Sequence, residues 1–515
     1  MGAAALAIIA FVAAAHMWEL EGVPHGLFGD EASIGLNALS IAQSGRDDNG
    51  QRWPLYFRSW GDYKSPLYIY SVAAVFLVAK ASDFWLRFTS FLYFSVYLAS
   101  IYLLLGRLFP ATRLTRLFGL LAAGLLPWHF VLSRIAFESN SQLALTGVVS
   151  LLVWETFHGE SRVPRVLAAV TGAALGLSLY SYPTSRLLAA LFLTVIVVCY
   201  YDRSTRTRLA ILVGVASVAA VPMLVYMIEH AGTVDHRFRS LTFLFDQNLS
   251  VLYRARRSVE GVLVHFDPRF LLLHGDANRR HATGAGGEIF ISVAILVAVA
   301  LLANARGLVA RCDRFFLYLV LCCLASPVAA ALTIGLPHAI RSQLLGYFLV
   351  MLSAYGFAAI ESLPRPALRA SGMACMLALL VIEAGVFVGD YFGRYAGTTG
   401  DLFWNYGARE AFAAAVRRQP ESVGVSAGLR DYTVRWNLAT MQGGERLTVR
   451  FGDVLPRPGS CVVFRWRDPA DDRLVTHDLA EMARSNLEFV DDSLPGALIG
   501  VRCYAPLRPA EVPAQ

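Results

Sequence analysis

The stretch HGLFGDEASIGLNALSIAQSGRDDNGQRWPLYFRSWGDYKSPLYIY, residues 25–70, decides how the rest of the chain is read. Asp30 and Glu31 open a segment from Ala32 to Gln43 with apolar residues at Ile34, Leu36, Leu39 and Ile41, which predicts an amphipathic helix lying at a membrane interface. By spacing alone Asp30 is an N-cap, with Glu31 favoured by the helix dipole. It is equally a carboxylate fixed in place for chemistry, and the two roles are compatible. The stretch ends in an apolar run, Pro66 to Ala79. That run is too short for the about 20 residues a spanning helix needs, so it predicts a juxtamembrane or re-entrant helix.

Outward from this segment the chain is strongly apolar. Of 515 residues 56% are hydrophobic and 16% charged, and mean hydropathy is +0.50. Soluble domains carry roughly 25% charged residues, which excludes a purely soluble enzyme, a disordered chain and a small disulfide scaffold. Apolar runs fall at about 3–18, 88–105, 117–132, 141–157, 166–181, 187–201, 209–228, 289–305, 315–334, 342–360 and 370–388. These predict a polytopic α-helical membrane protein of about eleven transmembrane helices. No Lys or Arg precedes the first run, so it is read as a span and not as a signal peptide.

Lys and Arg mark the cytoplasmic loops. With the Pro66 run left out of the count, one set of short loops holds thirteen arginines, at 107, 113, 116, 162, 165, 203, 206, 208, 306, 311, 314, 365 and 369. The opposite set holds only Arg134, Arg186 and Arg341. The N-terminus is then inside, and three hydrophilic parts face outward: a first loop 18–87, a long loop 229–288, and the segment 389–515. The last reads as a small extracytoplasmic α/β domain, with helices Glu410–Arg418 and His477–Arg484 and strands Ser422–Ser426, Leu447–Phe451, Cys461–Trp466 and Leu498–Tyr504. The expected division is 1–388, transmembrane, and 389–515, soluble.

The net charge of +7 follows from those inner arginines. No basic helix with interleaved aromatics accompanies it, so nucleic acid is excluded as a partner. Of seven cysteines, only Cys461 and Cys503 lie in the polar C-terminal part, where an oxidising compartment would allow a disulfide. His265, Asp267, His274, Asp276 and His281 cluster in sequence without the spacing of a compact metal motif. No metal and no cofactor are expected.

Several ordered motifs resemble membrane glycosyltransferases of the GT-C superfamily. Phe28-Gly29-Asp30-Glu31-Ala32 after the first span, then Lys64-Ser65-Pro66-Leu67 opening a short apolar helix, is similar to the first outer loop of the protein O-mannosyltransferase and lipid A aminoarabinose transferase group (glycosyltransferase family 39-like). FWLRFTS (84–90), LPWHFVLSRIAFES (126–139), FDPRFLLLHGDANRRHATGAGGE (266–288) and LPHAIRS (336–342) follow in the family's order. The usual Lys-Pro-Pro is Lys64-Ser65-Pro66 here, a mild departure. The resemblance covers residues 1 to about 410.

The resemblance implies transfer of a single sugar from a polyprenyl-phosphate donor in the outer leaflet to a hydroxyl, with inversion. The leaving phosphate needs no proton, so one carboxylate base suffices, unlike the pair that hydrolyses glycosides. By resemblance Asp30 is that base, Glu31 its structural or supporting neighbour in the catalytic site, and Lys64 the phosphate-binding lysine, with a snorkelling interfacial lysine as the plain alternative. Tyr63 is a candidate hydroxyl donor. Arg87 and Arg134 are candidate substrate ligands or structural ion-pair partners. Glu138 is placed to orient acceptor or sugar, or to pair with Arg134 four residues before it. Arg280, His281, His338 and Arg341 are candidate phosphate or sugar ligands. The expected setting is the plasma (inner) membrane of a cell envelope, with acceptor protein, lipid or polysaccharide and the membrane lipids as partners. Competing readings are oligosaccharyltransferase-like glycan transfer, a lipid or polysaccharide transporter, and an inactive scaffold. The oligosaccharyltransferase signature Trp-Trp-Asp is absent, with Trp404, Trp436 and Trp466 isolated. Most charges sit at span ends, which weighs against transport.

Overall fold

A computed structural model describes residues 2–59, 62–160, 162–231, 236–305, 313–399, 405–426, 429, 431–451, 457, 459–465, 487–491, 493 and 499–506. A helix stands at every one of the eleven apolar runs. Among the described residues five helical stretches are long and apolar enough to cross a membrane: Asp83–Leu108, Arg206–Glu229, Arg314–Ala331, Leu344–Glu361 and Pro366–Thr398. Arg113–Leu125 and Pro127–Ser133 form a sixth if their 50° bend lies inside one span. Pro127 sits at the break, where its missing N–H and its ring interrupt a continuous helix.

The other runs depart from simple spans for visible reasons. Ala3–Met17, Pro164–Ser178, Ser185–Tyr200 and Ile291–Ala303 are apolar but shorter. Ser139–Phe157 opens with Asn140, Ser141 and Gln142, polar residues buried within the bundle. Small residues let the helices approach. A side chain at Gly356 would stand 1.9 Å from the Leu296 carbonyl, and one at Gly172 2.4 Å from that of Leu212.

The first loop is a built platform. Gly29–Ser44 is a helix, closed by Gly45 in the left-handed region at φ 67°. A two-stranded antiparallel hairpin follows, β1 (Phe57–Ser59) and β2 (Asp62–Lys64), with Lys64 opposite Phe57 and Tyr63 opposite Arg58. Ser65 then leads into Pro66–Val78, a 13-residue helix with Pro66 in its first turn.

The C-terminal part carries β3 (Ser422–Val425), β4 (Val449–Phe451), β5 (Ser460–Arg465), β6 (Leu487–Asp491) and β7 (Ile499–Pro506) in the order β4-β3-β5-β7-β6. β3 is parallel to β4 and β5, and β7 is antiparallel to β5 and β6. Cys461 and Cys503 face each other in the β5–β7 register and form a disulfide. The helix Ala408–Arg418 packs on the sheet, as expected. The helix Asp431–Thr440 and the strand β6 had no sequence counterpart. The expected helix His477–Arg484, Arg306, Arg311, Trp404 and Trp466 lie outside the described residues.

Asp431–Thr440 covers the platform and supplies the burial of the apolar stripe expected over Ala32–Gln43. Ile34, Leu36, Ala38 and Ile41 are all buried, in one cluster with Tyr68, Ile69 and Trp436. The Trp436 ring lies over Gly35, where a Cβ would come within 2.5 Å of it. Its indole N–H donates to Asp83 at 2.7 Å, and Arg435 pairs with Asp48. The apolar stripe of the platform helix is thus satisfied by protein.

Candidate active site

The platform helix begins at Gly29, with Phe28 as its N-cap residue. Asp30 therefore lies inside the first turn and is not the cap. The capping contact comes from Glu31, which accepts the Phe28 N–H at 3.0 Å. That leaves the Asp30 carboxylate directed elsewhere: its Oδ1 lies 3.2 Å from Lys64 Nζ, with the Asp30 side chain 38% exposed and that of Lys64 12% exposed.

Glu138 completes the group from the other side. It precedes Ser139–Phe157 and accepts the backbone N–H of Ser65, the residue after Lys64. Burial works against the Lys64 ammonium, but the charges of Asp30, Glu138 and Asp62 outweigh it and raise its pKa above the usual lysine range. Burial pushes Glu138 up to about 7, with Lys64 and the Ser65 N–H pulling the other way. Glu138 does not pair with Arg134. Ser65 Oγ, Ser139 Oγ and Gln343 Oε1 are buried there without a protein partner. The phenol of Tyr182 feels Arg341, Glu138, Lys64 and Asp30, and burial pushes it up to about 12. In sequence Tyr182 reads first as part of an aromatic belt, with an acceptor or lipid contact as the second reading. Tyr63 lies on the opposite side of β2 from Lys64, because alternate strand residues face opposite ways. It packs against the main apolar core and interacts with Tyr226.

Glu31, Arg87 and Arg134 take structural positions. The Arg87 and Glu31 side chains are both fully buried, with Nε to Oε1 at 3.0 Å. Glu31 also accepts the Ala136 N–H at 3.0 Å. Arg87 donates to the carbonyls of Leu20, Glu21, Pro24 and Gly26. Arg134 donates to those of Ala15, His16, Trp18, Glu19 and Val23, and to Tyr391 Oη. These donors hold the chain between the first helix and the platform, and none is left to meet a substrate.

The long loop brings in a second group. The Arg280 guanidinium stands 3.9 Å from the centre of the Phe28 ring, two residues before Asp30. His281 Nδ1 is 2.8 Å from Asp276 Oδ2, which also accepts the Ala339 N–H. His338 Nδ1 is buried without a partner, and its ring centroid is 5.0 Å from that of His281. Burial lowers the pKa of both imidazoles, so neutral forms are favoured. Ligand atoms of Asp276, His281 and His338 all lie within 4.8 Å of one another, so this trio could hold a divalent cation. The charges of Arg280 and Arg341 oppose one there. Arg341 itself donates to Thr333 Oγ1 at 2.8 Å and to the Ile334 carbonyl. Of the earlier histidine–aspartate grouping, only Asp276 and His281 enter this cluster, joined by His338 from a distant loop.

No family model matches the chain, and no curated sequence does. In structure, 96% of the chain aligns with 97% of ArnT from Cupriavidus metallidurans in the apo state, at TM-score 0.58 and 15% identity. The chain has an ArnT-like fold. ArnT bound to undecaprenyl phosphate aligns over the same shares at TM-score 0.54 and 15% identity. An oligosaccharyltransferase from Archaeoglobus fulgidus aligns at TM-score 0.49 and 12% identity, over 97% of this chain and 73% of its own. The resemblance drawn from the Phe-x-Asp-Glu-Ala and Lys-x-Pro motifs thus agrees with the ArnT-like fold. The same fold places those two motifs side by side across the platform.

Proposed function

We propose that the chain is an integral-membrane glycosyltransferase that moves one sugar from a polyprenyl-phosphate donor to a hydroxyl acceptor on the extracytoplasmic face. The observation that carries this reading is the half-exposed Asp30 carboxylate 3.2 Å from Lys64 Nζ, in a chain with the ArnT-like fold. ArnT has been crystallised with undecaprenyl phosphate, which supports a lipid of that chemistry as donor.

The acceptor oxygen forms a bond to the anomeric carbon from the side opposite the phosphate. The carbon–oxygen bond to phosphate breaks, and the electron pair leaves with the polyprenyl phosphate. Asp30 takes the hydroxyl proton. Lys64 meets the negative charge that develops on the leaving oxygen. Arg280 and Arg341 bring further positive charge, and Glu138 orients the acceptor or sugar beside Lys64. Single displacement inverts the anomeric centre. The Cys461–Cys503 disulfide supports an oxidising, extracytoplasmic setting for the soluble part, as the arginine asymmetry supports the orientation of the spans. Glu383 lies in an apolar helix, yet it accepts the N–H groups of Ile291 and Ser292 and so caps a neighbouring helix. That structural role weakens the transporter reading. The reaction as proposed uses no metal.

The test compares membranes bearing wild type or Asp30→Asn at matched expression, supplied with labelled polyprenyl-phosphate sugars. Label is followed into protein, lipid and polysaccharide fractions. Transfer by wild type alone, into one fraction and unchanged by chelation, is the expected result and names the acceptor class. Equal transfer by both removes Asp30 as base. Transfer by neither, with every donor tried, favours transport or a scaffold. Loss on chelation points to Asp276, His281 and His338.

A further inference from the structure

The helix Val251–Val264 is turned inside out relative to a helix facing water. Arg254, Ser258, Gly261 and His265 lie at i, i+4, i+7 and i+11, a stripe of small and polar residues, and this stripe faces the protein. Gly261 abuts the Ala331 carbonyl, where a Cβ would come within 2.7 Å. His265 is buried. Arg254 donates to the carbonyls of Leu244 and Leu249. The opposite stripe carries Leu252, Val259 and Leu263, which are 80%, 60% and 62% exposed. Val251 and Phe245 extend this apolar surface.

Its neighbours fix what that surface meets. Ala331 ends the apolar stretch Arg314–Ala331, so the helix rests at the end of a candidate span. The candidate span before it in the chain, Arg206–Glu229, exposes Val218, Val221, Leu224, Val225 and Ile228. Positive charge borders the stripe. Arg256 is 77% exposed beside Glu260 at 2.7 Å. The Arg257 guanidinium lies 5.2 Å from the Phe243 ring centre. Arg239 stands 4.8 Å from that of Phe245. Between residues 236 and 264 the sequence has five arginines against Asp246 and Glu260. The short loops read as lying on the same side hold one arginine each. An apolar stripe bordered by arginine is the pattern of a helix lying in the headgroup layer of an anionic bilayer.

We propose that Val251–Val264 is a membrane-seated helix, with Leu252, Val259 and Leu263 in the acyl boundary and Arg256 and Arg257 on anionic phospholipid head groups. The seat anchors the long loop that supplies Arg280 and His281, and it does not depend on which sugar or acceptor the protein uses.

The test uses the full chain with its exposed free thiol removed by Cys375→Ser. Single cysteines are introduced by Leu252→Cys, Val259→Cys and, as control, Glu260→Cys, and labelled with an environment-sensitive fluorophore. The protein is reconstituted in phosphatidylcholine vesicles with or without phosphatidylglycerol. The expected result is that iodide quenching at 252 and 259 is about three-fold or more weaker than at 260, while a nitroxide-bearing lipid quenches 252 and 259 strongly. Phosphatidylglycerol should sharpen the contrast, and Arg256→Gln with Arg257→Gln should abolish that dependence. Strong iodide quenching at all three positions overturns the proposal, because the stripe then faces water. Protection from both quenchers overturns it in favour of a covering protein. Indifference to phosphatidylglycerol removes the anionic headgroup from it.

Discussion

Asp30 and Glu31 are neighbours in sequence and opposite in fate. Glu31 is sealed within the seam between the first helix and the platform, its oxygens taken by Arg87 and by the N–H groups of Phe28 and Ala136. Asp30 stands on the open lip of the same helix turn, with Lys64 beside it. A buried ion pair that also satisfies backbone groups holds a structure together. The Asp30–Lys64 pair is open on its carboxylate side, with the ammonium largely buried, so it can meet a ligand at the lip. The difference is a rotation of about 100° around one helix, the step between successive residues.

The seam should break hardest. Arg87→Ala leaves Glu31 buried without its partner and four carbonyls without a donor, a loss of about 3–5 kcal/mol. It should show as loss of folded protein on size exclusion in detergent, whatever the activity. On the lip the effect moves from stability to chemistry. Asp30→Asn should lower transfer by roughly 100-fold or more, while the protein stays folded and its thermal midpoint falls less than that of Arg87→Ala. A midpoint that collapses would put Asp30 in the seam with Glu31.

The roof gives a milder break. Gly35→Ala presses a methyl into the Trp436 ring and should cost about 1–3 kcal/mol. Trp436→Leu in the same background should recover part of that loss, as read by thermal unfolding. A pH effect sharpens the lip itself. The pKa of Glu138 is raised from 4.5 to about 7, so its contribution to stability is complete below the unfolded value and lost as pH rises through the folded one. Stability should fall as pH rises from about 4.5 to about 7 and level off above that. Glu138→Gln should flatten that slope in a pH series of thermal midpoints.

Much of this was legible in the residues. The eleven apolar runs became helices because a chain in lipid must satisfy its backbone within each segment. Pro66 to Ala79 was short by count, and it forms the 13-residue helix Pro66–Val78. Lys64 and Asp30 were named from two motifs 34 residues apart, and the fold brings them to 3.2 Å. Other roles were not legible. The arginines at 87 and 134 looked alike as ligands or as fasteners, because a guanidinium suits either, and only the count of accepting carbonyls separates the two. Amphipathicity over Ala32–Gln43 recorded that one face is buried, not what buries it. Here it is Trp436, some 400 residues away. Tyr182 looked like any span-end aromatic until the spans were arranged.

The sequence by itself determined that this chain is a helical membrane protein, where its apolar helices run, and which two motifs carry an acid and a base of opposite charge. Those properties are local, set by composition, length and charge within a few tens of residues. The tertiary structure alone decided which of two adjacent carboxylates is sealed and which is open, that Asp276, His281 and His338 converge, and that the soluble part roofs the platform. Each depends on the relative rotation and height of packed helices, and that is fixed by contacts between residues hundreds of positions apart.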